Sequence, residues 1–319
     1  MYLWCILFGR LHSFQWIHML TRNIKSQDRQ VSVYGHFGEI IQGVSLKYST
    51  VVLVTLPCSK VITCASFKKV SNSSLIIRGA GMQERKAALC ALMEMNMLGC
   101  GGILTVHSDV PACSGLGVST MSILATVRAV GKSVGYVFSA RQESDICKYV
   151  EQASDPLMYN APGQILWASR KMYICELLGA IPSVVVVGAV DGKGHFTDPK
   201  DEDFPYVDDL YVLLKQGVTL GCYRTIGEVA TESASLNQQR NPRPHWGSFI
   251  EIAKDTGAVG ISVAHTGSAI SLLFPLYKYM MGHVDHIKQA YYAILEEGLF
   301  PIVFCVVGGR GRHLSLRDI

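Results

Sequence analysis

Residues 110–120 read Val-Pro-Ala-Cys-Ser-Gly-Leu-Gly-Val-Ser-Thr, and they separate two segments of different periodicity. The preceding run, Ile103–Asp109, alternates apolar and polar side chains and is rich in β-branched residues, which predicts a half-buried strand. The following run, Met121–Val130, has apolar residues at helical spacing, and Ser119 and Thr120 stand where a helix would be capped. The stretch therefore predicts a strand, a glycine loop and a helix in succession.

The loop contains Gly115 and Gly117, which allow backbone N–H groups to turn toward a bound anion. A helix that begins just after such a loop directs the positive end of its dipole to the same point. The pattern is not a Walker loop, because no Gly-Lys-Ser/Thr follows at the required spacing, and it is not a dinucleotide fingerprint. From the loop alone, phosphate binding and an ordinary turn that needs glycine for its geometry both remain open.

Composition excludes several classes of protein. The chain has 319 residues, of which 49% are hydrophobic and 17% charged, and this length accommodates two modest domains. The formal net charge of +4 is mild and no clustered basic stripe accompanies it, so no nucleic-acid partner is expected. Ten cysteines occur without a Cys-x-x-Cys pair, which favours reduced thiols in a cytoplasmic protein.

The first twenty residues are aromatic and apolar, but Arg10, His12 and His18 interrupt them, so they are too broken to span a membrane. They also lack the small-residue cleavage site of a signal peptide. We therefore interpret residues 1–30 as an extension outside the fold. No other stretch has the pattern of a transmembrane segment, and no membrane partner is expected.

Three glycines within Gly35–Gly43 frame the polar residues His36, Glu39 and Gln42, directly after the apolar run Val31–Tyr34. Polar side chains on such tight backbone are typical of a small-molecule pocket. The alternative is a hairpin loop whose polar groups face water.

A second polar cluster follows the helix predicted at Glu143–Val150. If that helix persists, Glu151 and Asp155 lie four residues apart on one face, where such a pair can hold Mg²⁺ and accept a proton. The alternative is that Asp155 ends the helix before Pro156 while Glu151 is simply solvated.

A domain boundary is predicted near residues 176–183, and the order of elements after it fits a split βαβ sandwich with one additional helix. A polar turn containing His265 lies between two of its strands, where a histidine is commonly only a hydrogen-bonded turn residue. The other predicted strands are Thr50–Leu56, Lys60–Phe67, Ser74–Ile77, Val184–Val187, Val259–Ala264, Ala269–Phe274 and Ile302–Val307. The other predicted helices are Met82–Leu98, Val207–Gln216, Gly217–Ser235, Trp246–Thr256 and Val284–Glu297.

Three of these stretches, in this order, resemble motifs of the GHMP kinases, the superfamily of galactokinase, homoserine kinase, mevalonate kinase and phosphomevalonate kinase. Pro111–Ser119 resembles their phosphate loop, Pro-x-x-x-Gly-Leu-x-Ser-Ser. The branch of bacterial L-threonine kinases linked to propanediol utilisation is more similar: its Gly-Glu-Leu-Ile-Gln-Gly resembles Gly38–Gly43, and its Ala-His-Ser-Gly-Ser resembles Ala264–Ser268. Pro242-Arg243-Pro244 stands where that branch has Pro-Lys-Pro. The resemblance runs from about Val31 to Gly309.

The resemblance implies an α+β fold of two domains. Residues 31–180 would form an ATP-binding domain similar to the second domain of ribosomal protein S5, and residues 181–319 a ferredoxin-like domain. It further implies a cytoplasmic, homodimeric enzyme that uses ATP and Mg²⁺ to convert L-threonine to O-phospho-L-threonine, for cobalamin side-chain synthesis.

The resemblance also implies roles for individual residues. Ser119 and Glu151 would hold Mg²⁺, and Asp155 would orient or deprotonate the acceptor hydroxyl. The ATP-binding residues would be Pro111, Ser114, Gly115, Leu116, Gly117, Val118, Ser119 and Thr120. The substrate-binding residues would be His36, Glu39, Gln42, His265, Thr266 and Gly267.

The chain departs from the family pattern at a few positions. Val118 replaces the first serine of the Ser-Ser pair, and Ser114 stands where the threonine kinases usually have lysine. The acidic stretch from Glu151 to Asp155 is one residue longer than the Glu-Pro-Thr-Asp of that branch. Two alternatives therefore stay open: a GHMP kinase for homoserine or another small hydroxylated metabolite, and a non-catalytic nucleotide-binding protein of the same fold.

Overall fold

The computed structural model describes residues 30–111, 114–192, 203–282 and 284–312. Its strands are β1 (Gln30–Ser45), β2 (Thr50–Val70), β3 (Leu75–Arg78), β4 (Gly101–Ser108), β5 (Ile165–Ala168), β6 (Tyr173–Leu177), β7 (Val184–Val190), β8 (Gly260–Val263), β9 (Ala269–Pro275), β10 (Ile302–Val307) and β11 (Arg310–Arg312). These described strands form one sheet in the order β11-β10-β7-β9-β8-β1-β2-β4-β3, while β5 pairs with β2 and with β6.

The described helices are α1 (Met82–Glu94), α2 (Val118–Lys132), α3 (Ala140–Val150), α4 (Asp208–Leu220), α5 (Tyr223–Gln238), α6 (Trp246–Thr256), α7 (Leu276–Met280) and α8 (Asp285–Glu296). Helix α2 packs against β1 and β2, and α5 packs against β1 and β8. The apolar residues that predicted α2, from Met121 to Val130, are fully buried, so the sequence pattern correctly identified a core helix. The glycine loop at its start is thereby fixed on the sheet.

Strand β1 corrects one prediction. Residues Gly35–Gly43 do not form a hairpin loop, because they continue β1 and pair with β2. The pairing register shifts between Tyr34 and Gly35 and on both sides of Glu39. Such bulges bend a strand and change the direction of its side chains. Here the polar side chains of this segment are buried within the molecule.

Other differences concern element boundaries. The predicted strands Thr50–Leu56 and Lys60–Phe67 are one continuous strand, β2, because β1, β4 and β5 all pair along it. The break between α4 and α5 falls at Gly221, whose left-handed φ of 63° ends α4, and not at residue 217 as predicted. The short strands β5 and β6 were not predicted, because apolar and polar residues do not alternate along them.

The sheet has a narrow junction beside the predicted polar residues. Strand β1 pairs with β8 through Glu39 opposite Val263, the one pair of residues recorded between these two described strands. Strands β1–β6 lie on one side of this junction and β7–β11 on the other. The boundary predicted near residues 176–183 falls at the connection between β6 and β7.

Some predictions fall on residues that are not described. Residues 1–29, Ala112 and Cys113 lie outside the described part of the chain, whereas Gln30 begins β1 and so belongs to the fold. The eight described cysteines are free thiols. Within the described ranges, no helix combines the length and apolar character needed to cross a membrane.

Candidate active site

The glycine loop connects β4 to α2 as predicted. The hydroxyl of Ser114 donates a hydrogen bond to the carbonyl of Pro111 at 2.9 Å, which closes the first turn of the loop. Gly117, with φ of 77°, is the N-cap of α2, and no side chain caps the helix there. The first N–H groups of α2 are therefore available to a ligand. Gly115, Gly117 and the first residues of α2 line a cavity of about 800 Å³.

The glycine loop contacts the loop between β8 and β9 without intervening side chains. A Cβ atom on Gly267 would lie 2.0 Å from Cα of Gly115, and one on Gly115 would lie 2.4 Å from Cα of Gly267. Gly115 also has φ of +73°, which favours glycine. The backbone amide of Ser268 donates to the carbonyl of Ser114 at 3.2 Å. Two motifs that are far apart in sequence thus share one wall of the site.

Arg243 holds the β8–β9 loop in place. Its buried guanidinium donates to the carbonyls of Ala264, Gly267 and Ala269 at 2.6, 3.0 and 3.2 Å. It also donates to the carbonyl of Asn241 and to the side chain of Asn237. This fork of donors explains why a basic residue lies between two prolines in the sequence. The side chain belongs to the support of the site and not to its surface.

Helix α3 ends at Val150, so Glu151 and Asp155 do not share a helical face as the sequence suggested. Glu151 has extended backbone, with φ of −126° and ψ of 161°. This turns its carboxylate to the start of α2, where it accepts hydrogen bonds from the hydroxyls of Ser119 at 2.5 Å and Thr120 at 2.9 Å. Burial raises the pKa of Glu151 to about 8, against the lowering effect of these two hydroxyls.

The oxygens of Ser119 and Glu151 suit a small, hard divalent cation. A hydroxyl and a carboxylate are ligands that Mg²⁺ accepts, usually together with water and the phosphates of a nucleotide. Both residues line the cavity at the start of α2, next to the uncapped N–H groups. The donor set therefore fits the predicted metal site.

A buried line of three titratable side chains lies beside this cation site. Nε2 of His36 is 3.3 Å from Oδ2 of Asp155, and Nδ1 of the same ring is 3.4 Å from Oε1 of Glu39. Burial alone would lower the pKa of His36, but the charge of Asp155, and then that of Glu39, raises it to about 9. Burial alone would raise the pKa of Asp155, and the charge and hydrogen bond of His36 instead lower it.

Asp155 is also positioned by the start of α2 and by the core. Its backbone amide donates to the hydroxyl of Thr120 at 3.2 Å. The preceding carbonyl, of Ser154, accepts from the indole of the fully buried Trp167 at 2.7 Å. These contacts place the Asp155 carboxylate in the same cavity as Ser119 and Glu151.

Gln42 lies behind the cavity wall. Its amide oxygen faces Nδ1 of His265 at 3.2 Å and accepts from Asn237 at 3.0 Å, and its amide nitrogen donates to the carbonyl of Val263 at 2.9 Å. Gln42 is 1% exposed and its polar atoms are engaged by protein groups. In this arrangement it orients His265, which does line the cavity together with Thr266.

An aromatic and cationic group, which the sequence did not reveal, surrounds His265. The imidazole stacks on Phe204, with ring centroids 4.5 Å apart and an interplanar angle of 6°. The guanidinium carbons of Arg240 and Arg170 lie 3.5 and 5.6 Å from the centroid of Phe204. Burial, and then the charges of Arg170 and Arg240, lower the pKa of His265 to about 3. Arg170 lies in the turn after β5 next to Lys171, and this short basic pair carries no recognisable sequence signal.

The predicted residues thus divide into two groups. The cavity is lined by His36, Glu39, Gly115, Gly117, Val118, Ser119, Thr120, Glu151, Asp155, His265 and Thr266. Pro111, Ser114, Leu116, Gln42 and Gly267 are not among its lining residues and support it from behind. The three motifs therefore meet in one place, although they come from β1, the β4–α2 loop and the β8–β9 loop.

The fold matches solved kinase structures. A mevalonate kinase is similar with a TM-score of 0.63 and 11% identity, over 86% of this chain and 98% of that chain. Homoserine kinase from Cytophaga hutchinsonii is similar with a TM-score of 0.59 and 14% identity, over 91% of this chain and 98% of that chain. Residues 84–158 match the family described as GHMP kinases N terminal domain. The chain has the GHMP kinase fold.

A curated relative within the GHMP kinases is also similar in sequence. L-threonine kinase from Salmonella typhimurium is 22% identical over 182 residues. The match covers 53% of this chain and 58% of the relative, so the chain spans little more than half of that protein. The predicted GHMP fold is confirmed, and the segment that matches the family contains α2, Glu151 and Asp155.

Proposed function

We propose that this GHMP-fold protein is an ATP-dependent kinase that phosphorylates the hydroxyl group of L-threonine. The observation that carries the proposal is the meeting of a cation site at Ser119 and Glu151 with the His36–Asp155 pair in one cavity, beside an uncapped helix N-terminus. Phosphoryl transfer needs little more than positioning and neutralisation of charge, and these groups supply both.

In the proposed reaction the acceptor oxygen attacks the γ-phosphorus of ATP, and the bond from that phosphorus to the β-phosphate bridging oxygen breaks. The hydroxyl proton passes to the Asp155 carboxylate, which His36 keeps ionised. The N–H groups of Gly117 and of the first turn of α2 bind phosphate oxygens. A Mg²⁺ ion held by Ser119 and Glu151 would neutralise charge on the phosphates.

The acceptor end of the cavity favours a substrate with a carboxylate. Arg170 lines the cavity and, together with Arg240, places positive charge around His265 and Phe204. Guanidinium groups recognise carboxylates well, which supports an amino-acid acceptor over a neutral sugar. Homoserine also has this chemistry, and a homoserine kinase is among the similar structures. It is the second candidate acceptor. Cytoplasmic location, a homodimer and a part in cobalamin synthesis stay predictions.

The test is ATP consumption in the presence of Mg²⁺ with L-threonine, L-serine, homoserine, ethanolamine, mevalonate or galactose, with the product identified by mass. We expect turnover that depends on L-threonine. Asp155→Asn should lower kcat by about 10²-fold or more, the usual contribution of a catalytic base, while ATP affinity is kept. The exposed residue Asp145 provides a matched control, because Asp145→Asn should change neither quantity.

Turnover with homoserine alone would show that homoserine, the second candidate, is the acceptor. A folded protein that binds ATP but phosphorylates none of these acceptors would contradict the proposed reaction and support the non-catalytic alternative. Unchanged kcat in Asp155→Asn would contradict the role of that carboxylate.

A further inference from the structure

Glu39 occupies an unusual place for a substrate-binding residue. It borders the cavity, but it is 1% exposed, and His36 separates it from Asp155. Both of its carboxylate oxygens are buried, and neither makes a well-aligned hydrogen bond within the described residues. An acceptor in the cavity would meet the Asp155 side of the imidazole before it met Glu39.

Burying this carboxylate has an energetic cost that some other interaction must offset. An ionised carboxylate in the protein interior is strongly unfavourable unless it is paired, and an apolar side chain of similar size would usually be tolerated better. The side-chain polar contact of Glu39 is Nδ1 of His36 at 3.4 Å, and the backbone of His265 provides a second polar contact. The position therefore suits a group whose partner is the imidazole.

The imidazole of His36 lies between the two carboxylates. Its two nitrogens face different residues, Asp155 through Nε2 and Glu39 through Nδ1. The charge of a carboxylate near Nδ1 favours the imidazolium form, in which both ring nitrogens carry a proton. Nε2–H can then donate to Asp155, which is the group proposed to accept the substrate proton.

We propose that Glu39 is a positioning residue that acts through His36, holding a proton on the imidazole so that Asp155 remains an ionised base. Its effect on catalysis rests on the proposed function, whereas its effect on His36 does not. Removal of the Glu39 carboxylate removes one of the two acidic groups whose charge favours a proton on the His36 ring. The side chains of Glu39, His36 and Asp155 thus act together at the acceptor end of the cavity.

Several other charged groups face these three side chains. His265, from the β8–β9 loop, interacts with both Asp155 and His36. Arg243, which precedes α6, acts on Glu39 and lowers its pKa, whereas burial, the largest effect, raises it to about 8. Glu151 and Asp155 line the same cavity, and the charge of Asp155 contributes to the raised pKa of Glu151. None of these groups is substituted in the Glu39 variants described below. A difference in the His36 titration between those variants therefore results from the change at Glu39.

The decisive measurement is the titration of His36 by NMR in the full chain with isotopically labelled histidine, assigned with His36→Gln. In the natural protein the titration midpoint of His36 should lie well above the ordinary histidine value of about 6.5. In Glu39→Gln it should fall by about one pH unit or more, the usual effect of losing a nearby opposite charge. Glu39→Asp, which keeps the charge, should recover part of this shift.

Activity provides a second readout. In Glu39→Gln the alkaline limb of the kcat profile should move to lower pH by a similar amount, because His36 loses its proton earlier, while KM for ATP is kept. The exposed residue Glu228 of α5 provides the matched control, since Glu228→Gln should change neither the titration nor the profile. Glu39→Gln removes a buried charge without changing the size of the side chain, and thermal unfolding verifies that it folds.

The outcomes separate this inference from the proposed function. A His36 midpoint near or below 6.5, or one that Glu39→Gln leaves unchanged, would overturn the inference even if the enzyme phosphorylates threonine. A shifted midpoint without turnover would keep the Glu39–His36 unit and contradict the kinase. Micromolar Mn²⁺ that broadens the His36 signals without nucleotide, in the natural protein but not in Glu39→Gln, would also overturn it, since the same three side chains would then be metal ligands.

Discussion

Arg243 shows how one side chain can determine the shape of a binding site that it does not line. Its guanidinium donates to three carbonyls of the segment from Ala264 to Ala269. Lysine retains the charge but lacks the planar fork, so several of these buried carbonyls would lose their donors. The resemblance to threonine kinases, which have lysine between the two prolines, concerns the sequence motif and not this set of hydrogen bonds.

Arg243→Lys should therefore lower the free energy of unfolding by about 2–4 kcal/mol, because each buried acceptor left without a donor costs about 1–3 kcal/mol. The loss can be measured by urea denaturation. Arg224→Lys, at an exposed position on α5, should change stability little and serves as the control. Equal stability of the two variants would show that the loop is held by other contacts.

Arg170 is the residue through which the acceptor site can be tested separately from the nucleotide site. It lies beside His265 in the cavity and away from the start of α2. Arg170→Met should raise KM for the amino-acid acceptor about tenfold, as expected for the loss of about 1.5 kcal/mol from a charge-assisted hydrogen bond, and leave KM for ATP unchanged. Steady-state kinetics with each substrate varied in turn provide the measurement.

The neighbouring residue provides a close control for this prediction. Lys171 is exposed and donates to the carbonyl of Tyr48, outside the cavity. Lys171→Met should leave both KM values unchanged. An equal rise in KM for ATP and acceptor in Arg170→Met would indicate a general disturbance of the site and contradict a specific role in acceptor binding.

At the level of elements, the start of α2 combines a cation site with a buried carboxylate. The pKa of Glu151 is raised from 4.5 to about 8, so the folded protein retains a proton that the unfolded chain releases. This contribution to stability is present below pH 4.5 and is lost as the pH rises through about 8. When no cation is bound, the folded protein is therefore less stable at alkaline pH than at acidic pH.

Glu151→Gln removes this pH dependence. In the presence of a chelator, its Tm should exceed that of the natural protein at pH 8.5, and the difference should shrink toward pH 5. Mg²⁺ with nucleotide should raise the Tm of the natural protein more than that of the variant, because the variant lacks the carboxylate ligand. Thermal unfolding across this pH range provides the measurement, and a difference in Tm that is independent of pH would contradict the assignment.

The strand–loop–helix element was predictable because its signals are local. The alternation in β4, the two glycines and the helical spacing in α2 each lie within one short window of sequence. Segment Gly35–Gly43 was less predictable, because its three glycines indicate a loop while its pairing with β2 depends on residues elsewhere. The end of α3 at Val150 agrees with the prediction, but no local pattern indicated that contacts with Ser119 and Thr120 hold Glu151 extended.

The site was predictable only in part. That the three motifs meet in one site was predicted only from their resemblance to one family. No periodicity in the sequence indicated it. Gln42 lies behind the cavity wall, whereas its partner His265 lines the cavity. The direction of the Gln42 side chain depends on the register shifts in β1. Arg170 and Phe204 reach the cavity region from a turn and a connection without regular pattern, so no local signal indicates them.

At the scale of the whole molecule, the candidate site lies at the junction where the two parts of the sheet meet. Glu39, opposite Val263, belongs both to this junction and to the buried line of titratable groups. A separate apolar cluster fills the space between β7–β10 and helices α6 and α8, away from the glycine loop. A larger apolar cluster spans both parts and includes Phe37 of β1 in contact with Phe304 of β10, so apolar contacts join the two parts beside the polar residues of the site.

The backbone contact between Gly115 and Gly267 has a thermodynamic consequence. The loop that would bind ATP and the loop beside the acceptor touch through their Cα atoms, with no side chain between them that could absorb a displacement. A shift of one loop on ligand binding is therefore transmitted to the other. By linkage, any factor by which ATP changes the affinity for the acceptor must equal the factor by which the acceptor changes the affinity for ATP. Two glycines thus make the coupling between ATP binding and acceptor binding a property of the pair of loops rather than of either site.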